Sequence, residues 1–171
     1  DYLISFFKVY PLANYVAVNI SSPNTEKLRE WQQGEQLDNL LSALKQAQEQ
    51  LANQHDKYVP LVIKIAPDLT VAEVTAVANK LLFHKIDGVI ATNTTVAREG
   101  VKTLRYGNET GGLSGEPLFK VSTLVVQQLN AVLQGRIPII ASGGVMNVAS
   151  AQQKLQAGAS LVQIYTGLIY H

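Results

Sequence analysis

The residues Asn19-Ile20-Ser21-Ser22-Pro23-Asn24-Thr25 follow directly on the apolar run Tyr15-Val16-Ala17-Val18. A short apolar run reads as a buried strand of a parallel sheet, and α/β folds carry their chemistry at the C-terminal ends of such strands. Here that end holds two amides and two hydroxyls within six residues, stiffened by a proline. This pattern suits a small polar ligand. Ser22 is a candidate base, although an unassisted serine is a weak one. It would need desolvation and a proton route through water or a neighbouring hydroxyl. The plainer alternative is a turn hydroxyl.

Lys64 stands inside the apolar run Leu61-Val62-Ile63-Lys64-Ile65. Burying an ammonium without a partner costs several kcal/mol. Three readings follow: an edge-strand lysine, a Schiff-base lysine, or a cation facing an anionic ligand. A flavin would suit the third, because a fixed cation stabilises its reduced ring. Asn19, Asn24 and Asn93 each offer a donor and an acceptor at a strand end. Converging on one face, they could read a planar ring of alternating N–H and C=O groups, as in a pyrimidine. Thr92-Asn93-Thr94-Thr95 and Thr110-Gly111-Gly112-Leu113-Ser114-Gly115 bound a long polar loop, and Ser142-Gly143-Gly144 precedes a helix. Glycine turns of this kind permit close backbone approach and present N–H groups to a phosphate, or serve as plain turns. His55, His84 and His171 stand apart from one another and from acidic clusters, which speaks against a metal site. Asp68, between Pro67 and a helix cap, reads as a helix-start residue. Trp31 and the glutamine-rich stretch 46–54 read as structural or solvated.

Strands and helices alternate around these residues. Strands are expected at Val16–Ile20, Leu61–Ile65, Gly88–Thr92, Ile137–Ala141 and Leu161–Tyr165. Helices are expected from Leu37 to Leu51, from a Thr70 cap with Glu73 in capping-box spacing to about His84, from Leu118 to Leu133, and from Val148 to about Ala157. A loop as long as the segment from Asn93 to Gly115 is uncommon unless functional, a flexible loop being the plainer alternative. Five strands with crossover helices imply a parallel sheet, either doubly wound or part of a (β/α)₈ TIM barrel. Polar residues end every strand, and the last two strands end in Ser142-Gly143-Gly144 and Tyr165-Thr166-Gly167. No Gly-x-Gly-x-x-Gly follows an early strand. These features favour the barrel, of which this chain would hold roughly the last five β/α units.

With 171 residues, 47% hydrophobic and 16% charged, the chain is globular, and its net charge of +1 argues against nucleic acid as a partner. There is no cysteine, which removes disulfides, thiolate nucleophiles and cysteine metal sites. No run approaches the roughly 18 apolar residues of a membrane span. Position 1 is Asp, and Met146 is the single methionine. Residues 1–171 are thus expected to be the C-terminal part of one barrel domain, folding poorly and lacking activity when alone.

The motifs at 19–25, 62–68, 87–95, 110–115 and 161–167, taken in this order, resemble those of the dihydroorotate dehydrogenases. They are most similar to the class 2, quinone-linked type, since class 1 carries a cysteine base where Ser22 stands. The resemblance implies a barrel holding FMN that oxidises dihydroorotate to orotate in pyrimidine biosynthesis and passes electrons to a quinone. It implies that Ser22 takes the C5 proton, and that Asn19, Asn24, Asn93 and Thr94 bind substrate. It also implies that Asn19, Lys64, Thr92, Gly115, Gly144, Tyr165 and Thr166 contact the flavin or its phosphate. It further implies a monomer on the cytoplasmic side of the inner membrane, in peripheral contact through a segment outside these residues. Two other readings stand beside it: a Schiff-base aldolase acting through Lys64, and an inactive fragment.

Overall fold

The computed structural model describes residues 1–25, 29, 32 and 34–170; Trp31 and His171 lie outside the described residues. Five strands form one parallel sheet: β1 (Val16–Asn19), β2 (Leu61–Ile65), β3 (Gly88–Ala91), β4 (Ile139–Ser142) and β5 (Leu161–Gln163). Their spatial order equals their chain order, β1-β2-β3-β4-β5. A doubly wound sheet reverses direction at a switch point. An unreversed order with same-handed crossovers places every helix on one face and leaves the other for the inside of a barrel.

The two-residue period of each strand sorts the side chains accordingly. Val18, Leu61, Ile63, Ile65, Val89, Ala91, Ile139 and Ala141 join the buried cluster beneath the helices. Their alternates, among them Asn19, Lys64 and Ser142, belong to the opposite face. Helix α2 (Gly34–His55) covers the cluster with Leu37, Leu40, Leu41, Leu44, Ala47 and Leu51, the stripe that its 3.6-residue spacing dictates. Each fully buried leucine there contributes roughly 2 kcal/mol. Asp87 Oδ2 ties this layer to the sheet, accepting from Gln48 Nε2 of α2 and from the Leu61 N–H, both at 2.8 Å.

Helix α3 (Val71–Phe83) begins with both arms of its capping box: Glu73 N–H donates to Thr70 Oγ1 at 3.3 Å, and Thr70 N–H to Glu73 Oε2 at 2.7 Å. A 3₁₀ turn at Glu116–Leu118 leads into α4 (Phe119–Leu133), and α5 (Val148–Gln156) is capped reciprocally by Asn147 and Ser150. Two helices go beyond the sequence expectation, α1 (Tyr2–Val9) and α6 (Thr166–Ile169). Helix α1 is apolar around most of its circumference, with Phe6 buried and Leu3, Ile4 and Phe7 exposed, so no period marks it. Strand β4 starts two residues later than expected and β5 ends two earlier. Among the described residues no helix is long and apolar enough to cross a membrane.

Candidate active site

The inward alternates meet at the C-terminal ends of the strands. Sheet register pairs Asn19 with Lys64 and Ser142 with Gln163. A cleft opens above them, lined by ten residues from Lys64 to Gly144 along β2, β3, β4 and their loops, and by Val145, Gln163, Tyr165 and Thr166 beyond. Six of the expected cofactor contacts, Lys64, Thr92, Gly115, Gly144, Tyr165 and Thr166, thus share one space, as do Asn93 and Thr94. Asn19, Ser22 and Asn24 do not line it.

Those three belong to the end of β1 and the loop after it, which Asn93 joins to the cleft through Asn19 and Ser21. Asn93 Nδ2 donates to Asn19 Oδ1 at 3.0 Å and to Ser21 Oγ at 3.1 Å. Asn19 Oδ1 also accepts from the Ser21 N–H at 3.1 Å, while the Ser21 hydroxyl lies 2.8 Å from Lys64 O. Asn93 Oδ1 accepts from the Thr94 N–H at 2.8 Å. Both amides are therefore fixed in orientation before any ligand arrives. Ser22, half-buried, accepts the Asn24 N–H at 3.3 Å. No carboxylate or imidazole among the described residues bonds to its Oγ. Asn24 and Pro23 pack against the glycine pair of the long loop. A Cβ on Gly112 would stand 1.9 Å from Thr94 Oγ1 and 3.0 Å from Pro23 Cγ, so only glycine allows that closeness.

Arg29 ties the loop after β1 to its neighbours. Its Nε donates to Ser21 O at 3.3 Å, one Nη to Thr94 O at 3.0 Å, and the other to Asp68 Oδ2 at 2.6 Å. Asp68 in turn accepts from Thr95 Oγ1 and, at 3.2 Å, from the Val96 N–H. Asp68 is thus a strut between loops; the helix start belongs to Thr70. Sequence reasoning missed Arg29, because nothing in its neighbours signals a contact 39 or 65 residues away.

Lys64 is the one charged residue lining the cleft, and burial pulls the ammonium's pKa below the usual lysine value. No acceptor among the described residues bonds to its Nζ. Gln163 Oε1 is buried without a partner among the described residues and lines the same cleft. The N–H groups of Gly144 and Val145 meet no acceptor among the described residues. An unpaired cation, an orphan acceptor and free amides fit a large ligand bearing both hydrogen-bonding edges and an anionic group, as flavin mononucleotide does. Sequence reasoning did not single out Gln163, which the period of β5 could have placed beside Ser142. Among the described residues no group of three His, Cys, Asp or Glu could hold a metal.

The family model described as dihydroorotate dehydrogenase matches residues 1–171. "Dihydroorotate dehydrogenase (quinone)" of Azoarcus sp. (strain BH72) is 59% identical over 170 residues, 99% of this chain and 50% of that protein. The protein of the same name from Aromatoleum aromaticum is 58% identical, with 99% and 49% covered. Among solved structures, DHODH from Eimeria tenella in complex with ferulenol superposes with a TM-score of 0.92 at 37% identity, covering 99% of this chain and 49% of that one. The chain spans about half the length of the curated relatives it matches.

Proposed function

Since this chain belongs to the dihydroorotate dehydrogenase family, we propose that it forms most of the ligand-holding face of a quinone-linked enzyme oxidising dihydroorotate to orotate with FMN as cofactor. The observation that carries this is the shared cleft, whose lining brings together the unpaired Lys64 ammonium, the orphan Gln163 oxygen and the free Gly144 amide, with Asn93 bonded to Asn19 beside it.

The flavin, when bound, supplies a two-electron acceptor for the hydride that leaves substrate C6. The rest falls to the chain. Asn19, Asn24, Asn93 and Thr94 hold the pyrimidine ring through its N–H and C=O groups. The Asn93 and Asn19 side chains already brace each other, so little side-chain entropy is lost on binding. Ser22 Oγ accepts the C5 proton while its own hydroxyl proton passes to water, which leaves the serine neutral after the step. Closure of the ligand over the site would exclude bulk water and make that transfer more favourable. Lys64 sets positive charge beside the cofactor ring. Thr92 contacts the ring or its tail, and Gly115, Gly144, Tyr165 and Thr166 hold the ribityl phosphate end, with Thr166 Oγ1 braced on Ser114 Oγ at 3.0 Å. In the whole protein we place the assembly as a monomer in peripheral contact with the cytoplasmic side of the inner membrane, where a quinone takes the electrons.

The test is a visible spectrum of the whole protein before and after anaerobic dihydroorotate. Flavin bands that bleach with release of orotate support the reading. A protein that binds FMN but is not bleached by dihydroorotate overturns the substrate; one that takes up no FMN overturns the cofactor.

A further inference from the structure

One cation in the fold has no evident reason to be where it is. Lys154 is the single buried residue of the nine in α5, and it is 0% exposed. Its Nζ donates to Ser122 Oγ, lies 3.4 Å from Phe119 O and stands 4.9 Å from the Phe119 ring centre. Among the described residues no carboxylate forms an ion pair with it. Burial pushes its pKa down to about 8. A helix that needed only to pack on α4 would do so better with leucine or methionine at this position.

Its partners lead to the cleft. Ser122 is also fully buried. Because its oxygen accepts from Lys154, its single proton goes outward, to Gly143 O at 3.0 Å or Phe119 O at 3.1 Å. Gly143 and Gly144 both have positive φ, +112° and +72°. A Cβ on Gly144 would fall 2.5 Å from the Phe119 Cα, which wedges the turn onto the start of α4. The other side of the same turn lines the cleft. The ammonium is therefore separated from the cleft wall by one hydroxyl and one peptide. Hydrogen bonds in series polarise one another, and a cation at the head of the series strengthens each. Drawing on the Gly143 carbonyl makes the next N–H, that of Gly144, a better donor, and that N–H has no acceptor among the described residues. Lys64 is the one charged residue of the lining and lies on the far strand β2.

We propose that Lys154 is a positioning residue for the phosphate of the cofactor: acting through Ser122, it braces and polarises the Gly143–Gly144 turn and supplies from behind the wall the positive charge that the phosphate meets. This rests on the flavin mononucleotide reading of the cleft. Lys154 itself touches neither cofactor nor substrate.

The experiment compares two flavins that differ only in the phosphate. Apoprotein of the full-length enzyme is titrated with FMN and with riboflavin, following flavin fluorescence, for wild type, Lys154→Met and Ser122→Ala. The expected result is FMN affinity about tenfold weaker in Lys154→Met, with riboflavin affinity unchanged within about twofold. Ser122→Ala shifts the same ratio in the same direction by a smaller factor, and it serves alone should Lys154→Met fail to fold. Equal weakening of both flavins would mean a packing role and overturns the proposal, as does an unchanged ratio. A wild-type protein that binds neither flavin overturns the cofactor reading itself, an outcome distinct from the other two.

Discussion

Arg29 and Asp68 meet at 2.6 Å between the loop after β1 and the loop after β2, and each carries on to the loop after β3. Three loops at this end of the sheet, two of which carry the expected substrate residues, are thereby fixed to one another by two side chains, each about one-fifth exposed. Bidentate use of a guanidinium across loops is a task lysine cannot perform. Arg29→Lys and Asp68→Asn are expected to raise KM for dihydroorotate and lower kcat, leaving flavin content unchanged. Because both act through one strut, the double variant should lose little more than the worse single. The interaction energy in a double-mutant cycle should be on the order of 1–3 kcal/mol. Strictly additive losses would show that the two act separately.

Gly144 occupies a positive-φ conformation that residues with a side chain rarely adopt, and it sits against the start of α4. Gly144→Ala brings both backbone strain and a clash with Phe119. It is expected to destabilise the protein by about 2 kcal/mol or more and to abolish FMN binding. Chemical denaturation and flavin titration of the same variant check the two parts.

Lys154 carries a pH signature. In the unfolded chain its ammonium keeps its proton up to the ordinary value of 10.5, whereas the folded chain releases it at about 8. Between those values the unfolded state binds more protons, so stability from this group rises with pH through that window and its cost is fully present below pH 8. The groups facing it are Ser122, the Phe119 carbonyl and the Phe119 ring, and among the described residues no acid pairs with it. Relative to Lys154→Met, the wild-type apoprotein should gain about 3 kcal/mol between pH 8 and 10.5. The methionine variant should be at least as stable at pH 7. Denaturant midpoints across that range measure the difference.

Lys64 lies half-buried in the cleft, with no acceptor among the described residues bonded to its ammonium. Lys64→Met is expected to weaken FMN binding by about tenfold or more. Treatment of the whole protein with a carbonyl substrate and borohydride should leave the mass of the Lys64 peptide unchanged. A reduced adduct there would favour the Schiff-base alternative.

The architecture was legible because each strand is a short apolar run ending in polar residues, and because Thr70 and Glu73 mark a helix start that the structure forms. The choice between barrel and doubly wound sheet turned on strand-end chemistry, and the sequential strand order agrees with the barrel. Helix α1 escaped notice for want of a polar face, and α6 because four residues hold too little period to read. Within the site, residues attached to strand ends could be named from the chain. Those acting across it could not: Arg29 and Lys154 matter through partners 39, 65 and 32 positions distant. Asp68 read as a helix-start residue because local spacing cannot show that a carboxylate is claimed by an arginine from another loop.

Ser22 is the residue on which the chemistry depends, and its separation from the cleft wall allows it to be tested without disturbing the cofactor. The decisive measurement is the anaerobic reductive half-reaction of full-length Ser22→Ala beside wild type, followed at the flavin band on mixing with dihydroorotate. The account predicts normal FMN content, orotate binding within a few-fold of wild type, and flavin reduction slowed by about 10²–10⁴. Reduction at the wild-type rate would contradict it, since the proton at C5 would then be leaving by a route that does not involve this serine.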